Sequence, residues 1–298
     1  MRARRDAEAS LRIGGGAMNY RHAFHAGNFA DVMKHALLAR VLVRLNAKSA
    51  PYRVIDTHAG AGLYDLAGEA AMRTGEWREG VARVAGAQAP EAVAGLLKPW
   101  LDVATPMLNE ERPAYPGSPL IALRLSRTQD RLTFIEKHPE EVRRLKAALA
   151  GERRARVLEL DGWTGLSAQV PPPERRGLVL IDPPFEQPGE FPRMTQALAA
   201  AHRKWPTGVY ILWHPIKDPA AIAAFHAALR QTGVRKILGL ELHVDRIGPE
   251  GPMGGSGLVI VNPPWRLKEE AELVLPWLAR RLARGEKGAW LSEWIAPE

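Results

Sequence analysis

The chain is predicted to fold as a doubly wound α/β sheet, on three observations. Short apolar runs alternate with helix-length amphipathic segments. A Gly-rich turn, Asp56-Thr57-His58-Ala59-Gly60-Ala61-Gly62, follows the first of these runs, and acidic or stiff residues stand directly after the later ones. Such alternation implies parallel βαβ units with right-handed crossovers. Ligands of these sheets bind beyond the carboxyl ends of the strands, near the point where strand order reverses, so the residues after each strand carry the chemistry.

Residues 31–45 place Val32, Leu37, Leu38, Val41, Leu42 and Leu45 at helical spacing, with Asp31 near the helix start. A strand over 52–55 runs into the Gly-rich turn, whose small residues permit a tight bend and a close approach of backbone to ligand. Between 63 and 116, Gly, Ala and Pro mix with short helical stretches such as 91–101, and the segment reads as an insertion. Alternation resumes with strand 132–135, helix 139–150, strand 155–158, strand 177–181, helix 191–201, strand 208–213 and helix 219–231. Two late strands, 236–244 and 257–261, precede a helix over 268–282. Residues 1–17 lack the continuous apolar centre of a secretory signal. They read as a disordered N-terminal extension, and 18–298 as one domain carrying the insertion.

Hydrophobic residues make up 46% and charged residues 25% of the 298, which is ordinary globular usage. No apolar run is long enough to span a bilayer, so no membrane association and a cytoplasmic location are expected. There are no cysteines, which excludes a disulfide framework, a thiolate metal site and a cysteine nucleophile. Lys and Arg outnumber Asp and Glu by 41 to 33, giving +8, the sign of surplus a polyanion binder carries. Many basic proteins merely have a solvated surface, so motifs must decide.

Gly60 and Gly62 alone do not name a cofactor, because nicotinamide, flavin and S-adenosylmethionine sites all use a glycine turn. The nicotinamide fingerprint adds a helix-opening glycine and an acidic residue about 20 positions on. Neither is in place. The next strand ends in Glu136, a carboxylate able to accept both hydroxyls of an adenosine ribose. The one after leads into Asp161-Gly162, where a side-chain acceptor can face a cofactor adenine amine.

The fourth of these strands runs straight into Asp182-Pro183-Pro184-Phe185. Proline has no N–H and a locked φ, so the pair ends the ladder and stiffens the turn. An adenine N6 amine is a poor nucleophile, its lone pair being delocalised into the ring. The Asp182 carboxylate and a carbonyl of the proline pair are two acceptors able to orient it, and Phe185 offers a stacking face. Asn262-Pro263-Pro264-Trp265 has the same look after a late strand, and its place far from the switch point marks it as a structural turn. His22, His25, His35 and His58 match no metal-binding pattern, and no metal is expected.

With these residues in hand, the chain resembles the bacterial ribosomal large-subunit RNA methyltransferase J family, the 23S rRNA adenine-N6 methyltransferases. The matching stretches are YRHAFHAGNFADVMKH from Tyr20, DTHAGAG from Asp56, RTGEW from Arg73, YPGSP from Tyr115, DG at Asp161, LIDPPFE at Leu180, VNPPW at Val261 and the C-terminal WIAPE from Trp294. The resemblance implies a class I S-adenosyl-L-methionine-dependent methyltransferase fold, Rossmann-like, with a small helical insertion. It implies that Lys34, His35, His58, Ser118, Glu136, Asp161 and Gly162 contact the cofactor, alongside Asp56, Gly60, Gly62 and Asp182 at the strand ends. Asp182 would be the catalytic acceptor, assisted by Pro183 and Phe185, and Tyr20 would touch the RNA. A family tyrosine appears here as Phe185, which keeps stacking and loses a hydroxyl.

The residues themselves do not choose RNA over DNA; the resemblance favours 23S rRNA, unassembled or partly assembled, with no obligate protein partner. A DNA adenine-N6 methyltransferase and a non-catalytic RNA-binding protein of the same fold remain the alternatives.

Overall fold

The computed structural model describes residues 22–248, 253–285 and 288–298. The extension expected over 1–17, and Tyr20, lie outside these residues. Asn28 starts the first helix, its side chain accepting from Ala30 N and Asp31 N at 3.0 and 3.1 Å and so satisfying two N–H groups that no helical turn can reach. The helix, α1 (Phe29–Asn46), is buried along most of its length.

The central strand β1 (Arg53–Asp56) follows. Residues 63–116 form a ladder of β2 (Leu63–Asp65), the short helices α2 (Glu69–Thr74), α3 (Glu76–Glu79) and α4 (Val81–Val84), the long α5 (Glu91–Leu108), and β3 (Ala114–Pro116), which pairs with β2. The helix expected over 91–101 thus continues beyond Pro99 and through Pro106. Burial of Leu97, Trp100 and Ala104 offsets the hydrogen bonds that the prolines remove.

The remainder alternates. α6 (Ser118–Leu125), β4 (Arg131–Glu136), α7 (Pro139–Ala148), β5 (Ala155–Glu159), α8 (Gly162–Gln169), β6 (Gly177–Ile181), α9 (Glu190–Lys204), β7 (Val209–Ile216) and α10 (Pro219–Gln231) lead to β8 (Ile237–His243), β9 (Gly255–Val261), α11 (Leu267–Leu282) and β10 (Ala289–Ala296).

Eight strands form one sheet in the order β10-β8-β9-β7-β6-β1-β4-β5. The five strands β5, β4, β1, β6 and β7 pair in parallel, as alternation predicts. The late strands correct that prediction, since β9 runs antiparallel to both β7 and β8, and β10 antiparallel to β8. Among the described residues no helix separates β8 (ending at His243) from β9 (starting at Gly255), and the second strand runs back along the first.

Period-two alternation splits the core. Val54, Leu178 and Leu180 face α1, α5, α6 and α11, whereas Ile55, Val179 and Ile181 face α8, α9 and α10. Glu270 of α11 ties the first layer together, accepting from Arg40 Nε and Nη2 at 2.8 and 3.0 Å and from Arg44. No helix among the described residues is long and apolar enough to cross a membrane.

Candidate active site

The carboxyl ends of β1, β4, β5, β6 and β7 open onto one cavity of about 860 Å³. That volume lies within the range of small-molecule and cofactor sites.

Its floor is the Gly-rich turn. Thr57 N and Oγ1 both donate to Leu180 O at 3.0 Å, and Ala59 N donates to Ile135 O at 2.9 Å, which stitches the turn to the ends of β6 and β4. Gly60 has φ +61°, and a Cβ there would meet Tyr64 Oη at 2.2 Å. Its N–H instead donates to Glu136 Oε2 at 2.9 Å, while His138 N donates to Oε1 at 2.8 Å. Two backbone donors thus hold the Glu136 carboxylate still, with lone pairs left for a ligand hydroxyl.

Asp161 caps α8, its Oδ1 accepting from Trp163 N and Thr164 N, both at 3.1 Å. Its Oδ2 is not engaged by the cap. Gly162 is packed so closely that a Cβ would lie 2.3 Å from Thr57 O. Trp163 meets His58 edge-on at 5.3 Å between centroids, and the Arg193 guanidinium lies 5.1 Å from the Trp163 ring.

At the end of β6, Asp182 Oδ2 accepts from Lys34 Nζ at 2.5 Å, and the same ammonium lies 2.9 Å from Asp31 Oδ1. Asp31 Oδ2 in turn accepts from Gly27 N at 2.9 Å and meets His22 Nε2 at 3.0 Å. Burial opposes both charges of the α1 pair, but the opposite charges dominate. Asp182 and Asp31 hold the Lys34 ammonium well above the usual lysine range, and His22 and Lys34 hold Asp31 well below the carboxylate range. Phe185, in the left-handed region at φ 52°, faces Phe191 at 5.0 Å and Trp213 at 5.9 Å.

Burial pushes the imidazoles of His35 and His58 down to about 3 and about 4, so both are neutral near pH 7. His35 Nδ1 is paired with Tyr115 Oη at 2.7 Å. The mouth is fastened from the 63–116 segment, where Glu76 lies 3.0 Å from His25 Nδ1 and accepts from Asn28 Nδ2 at 2.9 Å.

Of the residues singled out in the sequence, Lys34, His35, His58, Gly60, Ser118, Glu136, Asp161, Gly162, Asp182, Pro183 and Phe185 all line the cavity. Asp56 and Gly62 do not. Asp56 lies behind the turn, buried, accepting from Ser118 Oγ at 2.6 Å and His58 N at 3.2 Å. Gly62 has φ +77°, and its carbonyl accepts from Gly117 N at 2.8 Å.

Sequence reasoning did not place Asp31, Trp163, Arg193, Trp213 or Lys217 at the cavity, although all five line it. Trp163 and Lys217 stand just past strand ends, a signal the strand-end rule contained.

Asn262 lies elsewhere. Because β9 is reversed, its carboxyl end meets the start of β7, with Val261 opposite Tyr210. The Asn262 amide donates to Pro206 O and Gly208 O, both at 2.8 Å.

The five parallel strands and the cavity along their carboxyl ends make a Rossmann-like, doubly wound ligand-binding arrangement. Residues 49–296 match the family model described as Ribosomal RNA large subunit methyltransferase D, RlmJ, and the chain belongs to that family. It is 39% identical over 282 residues to the Ribosomal RNA large subunit methyltransferase J of Escherichia coli K12, covering 94% of this chain and 100% of that protein. It is 37% identical over 285 residues to the protein of the same name from Haemophilus influenzae Rd, with 94% and 100% coverage. A crystal structure of a Legionella pneumophila protein superposes with a TM-score of 0.82 at 35% identity, covering 91% of this chain and 98% of that one.

Proposed function

We propose that this chain transfers a methyl group from S-adenosyl-L-methionine to the N6 amine of an adenosine in 23S rRNA. The observation that carries the reading is the end of β6, where the Asp182 carboxylate, backed by Lys34, stands beside a proline pair and the Phe185–Trp213 wall. The relatives' names supply the substrate class, large-subunit ribosomal RNA.

The donor and acceptor set fits the cofactor. Glu136 is the acceptor for ribose hydroxyls, and Asp161 Oδ2 the acceptor for the adenine amine. The Cβ-free edge of Gly162 admits close packing. His35, His58, Gly60, Ser118 and Lys34 border the same space, and Asp56 and Gly62 shape it from behind. S-adenosyl-L-methionine supplies the activated methyl group.

Asp182 Oδ1 and the Pro183 carbonyl are the acceptors for the target amine, and orienting its lone pair is the main contribution of the protein. A base reaching this recess has left its stack, and base-specific RNA readers take unpaired nucleotides. Lys137, Arg193 and Lys217 line the cavity and are exposed, so phosphates can reach them. The family resemblance assigns an RNA contact to Tyr20 as well, outside the described residues.

The test is methyl transfer from labelled cofactor to 23S rRNA from cells lacking this protein, beside duplex DNA, followed by digestion to nucleosides. N6-methyladenosine in the RNA is expected. Label in DNA alone, or on another base, overturns the proposal.

A further inference from the structure

The chain carries a surplus of +8, and the cavity does not account for it. Along its lining, carboxylates outnumber lysines and arginines. The cations gather at the other end of the parallel sheet, where the segments leading into β1, β4, β5 and β6 meet. Arg127 Nη1 donates to Lys48 O at 2.7 Å, Arg154 Nη1 to Ser126 O at 2.8 Å and Arg176 Nη1 to Ala50 O at 2.6 Å, so one arginine after another knits these segments into a single rim.

Residues 45–53, 124–131, 152–156 and 174–177 hold three carboxylates, and each is already taken: Asp130 by Arg127 at 3.0 Å, Glu152 by Arg154 at 2.6 Å and Glu174 by Arg53 at 2.9 Å. Arg124, Arg131, Arg153, Arg156 and Arg175 are exposed and, among the described residues, in no salt bridge. Arg127 and Arg176 both lie over the Tyr52 ring, at 5.4 and 5.7 Å from its centroid. Burial, together with the Arg127 charge beside it, holds the Arg176 guanidinium below the usual arginine range, the mark of a field of one sign.

We propose that this amino-terminal rim is a second RNA-binding face, which takes the sugar–phosphate backbone of a double-helical stretch of the substrate RNA away from the target adenosine. It rests on the reading of the substrate as RNA. Planar guanidinium forks match phosphate oxygens. None of the large exposed hydrophobic side chains falls in the four segments, so the rim offers nothing to insert into a lipid surface or to anchor a protein interface. It offers no exposed aromatic ring on which an unpaired base could stack either, which leaves backbone contact to a helix. From β6 to β5 the rim crosses three strand gaps, about 14 Å, wide enough to meet more than one phosphate. Arg131 and Glu136 stand at the two ends of β4, about 17 Å apart, so the RNA held here is a different stretch from the one entering the cavity.

The experiment compares the parent, a rim variant (Arg131→Gln, Arg153→Gln, Arg156→Gln) and a control of equal charge loss on other surfaces (Arg230→Gln, Arg235→Gln, Arg280→Gln). Each binds a blunt RNA duplex of arbitrary sequence, read by fluorescence anisotropy across a salt series, and each is assayed for Tm, cofactor affinity and turnover on 23S rRNA. In the rim variant the slope of log affinity against log salt should shrink by about one per arginine lost, and duplex Kd near 0.1 M salt should rise at least about tenfold. KM for 23S rRNA should rise about as much, with kcat and S-adenosyl-L-methionine Kd within about twofold, because only uniform binding is removed. The control should change the slope by less than about one. All the substituted side chains are exposed, so Tm should hold. If the triple rim variant melts early, Arg153→Gln alone is read for a slope change of about one.

A parent that does not bind the duplex, a rim variant with the parent's affinity and slope, or a control that loses as much overturns the proposal. Rim-dependent binding to phosphatidylserine vesicles, with the duplex indifferent to the rim, identifies a lipid surface instead and overturns it too. The duplex measurement involves no turnover. Rim-dependent duplex binding without methylation of 23S rRNA therefore removes the function proposed above and leaves this face standing, whereas normal methylation with a rim that the duplex ignores does the reverse.

Discussion

Ser118 Oγ donates a 2.6 Å hydrogen bond to Asp56 Oδ2, joining the start of α6 to the end of the central strand beneath the Gly-rich turn. Burial pushes the Asp56 carboxyl up to about 7; the Ser118 bond opposes the rise and the neighbouring Asp182 adds to it. A carboxyl whose folded pKa lies above its unfolded value stabilises fully below the unfolded pKa, and that contribution is lost as pH rises through the folded one. The window is therefore roughly pH 4 to 7. Asp56→Asn cannot ionise and should be more stable than the parent at pH 8 by as much as about 4 kcal/mol, the three-unit shift converted. At pH 4 the two should melt together. Parallel melting curves across that range would count against a buried, titrating Asp56.

Gly162→Ala puts a methyl 2.3 Å from Thr57 O and 2.8 Å from His58 Nε2, both in the cavity floor. Backbone cannot yield as a flexible side chain can. S-adenosyl-L-methionine affinity is expected to fall at least about tenfold, equivalent to 1.4 kcal/mol, measured by calorimetry. An unchanged Kd would mean that the floor accommodates the methyl.

Phe185→Ala removes one face of the aromatic wall beside Asp182. Stacking of a base on an aromatic ring is worth about 1–3 kcal/mol, so RNA KM should rise about tenfold or more. Phe185→Tyr restores the hydroxyl that the family resemblance points to and should leave turnover near normal. A normal KM in the alanine variant would remove Phe185 from substrate contact.

Glu270→Ala leaves Arg40 buried without its two-pronged partner and Arg44 without its acceptor. Breaking a buried pair from one side costs about 3–5 kcal/mol, which urea denaturation should read as a lower midpoint at constant slope. Glu270 does not line the cavity, so cofactor affinity in the folded variant should not move.

Lys217→Ala tests the electrostatic part of RNA binding. If the lysine meets a phosphate, the slope of log affinity against log salt should shrink by about one. Identical slopes would place the RNA on another side of the mouth.

How much of this was legible beforehand depended on the kind of signal. The strands β1, β4, β5 and β6 are short apolar runs followed by chemically distinctive residues, and pattern located both them and the cavity edge they form. α8 escaped because it is eight residues long, begins with Gly162 and buries only one large apolar side chain, Leu166. β10 escaped because it is a mostly exposed edge strand. Trp290, Ser292 and Trp294 alternate with Leu291, Glu293 and Ile295, so neither set is uniformly polar and period two is blurred.

The direction of β9 was out of reach for a different reason. Alternation predicts parallel pairing only where a helix separates strands, and the described residues between β8 and β9 hold none. In the site itself, Asp182 could be named from Asp-Pro-Pro-Phe, but its bond to Lys34 spans 148 positions and belongs to tertiary structure alone. Lys34 was singled out by resemblance, and its partner was not.

The reversal of β9 separates the two proline motifs physically, setting them at opposite ends of the sheet. Trp265, 79% exposed, closes the second motif on the rim opposite the cavity. That makes it a natural attachment point: a fluorophore at a Trp265→Cys site, in a chain with no other cysteine, would report tumbling and RNA-induced changes in mass. It would do so without crowding the mouth of the cavity.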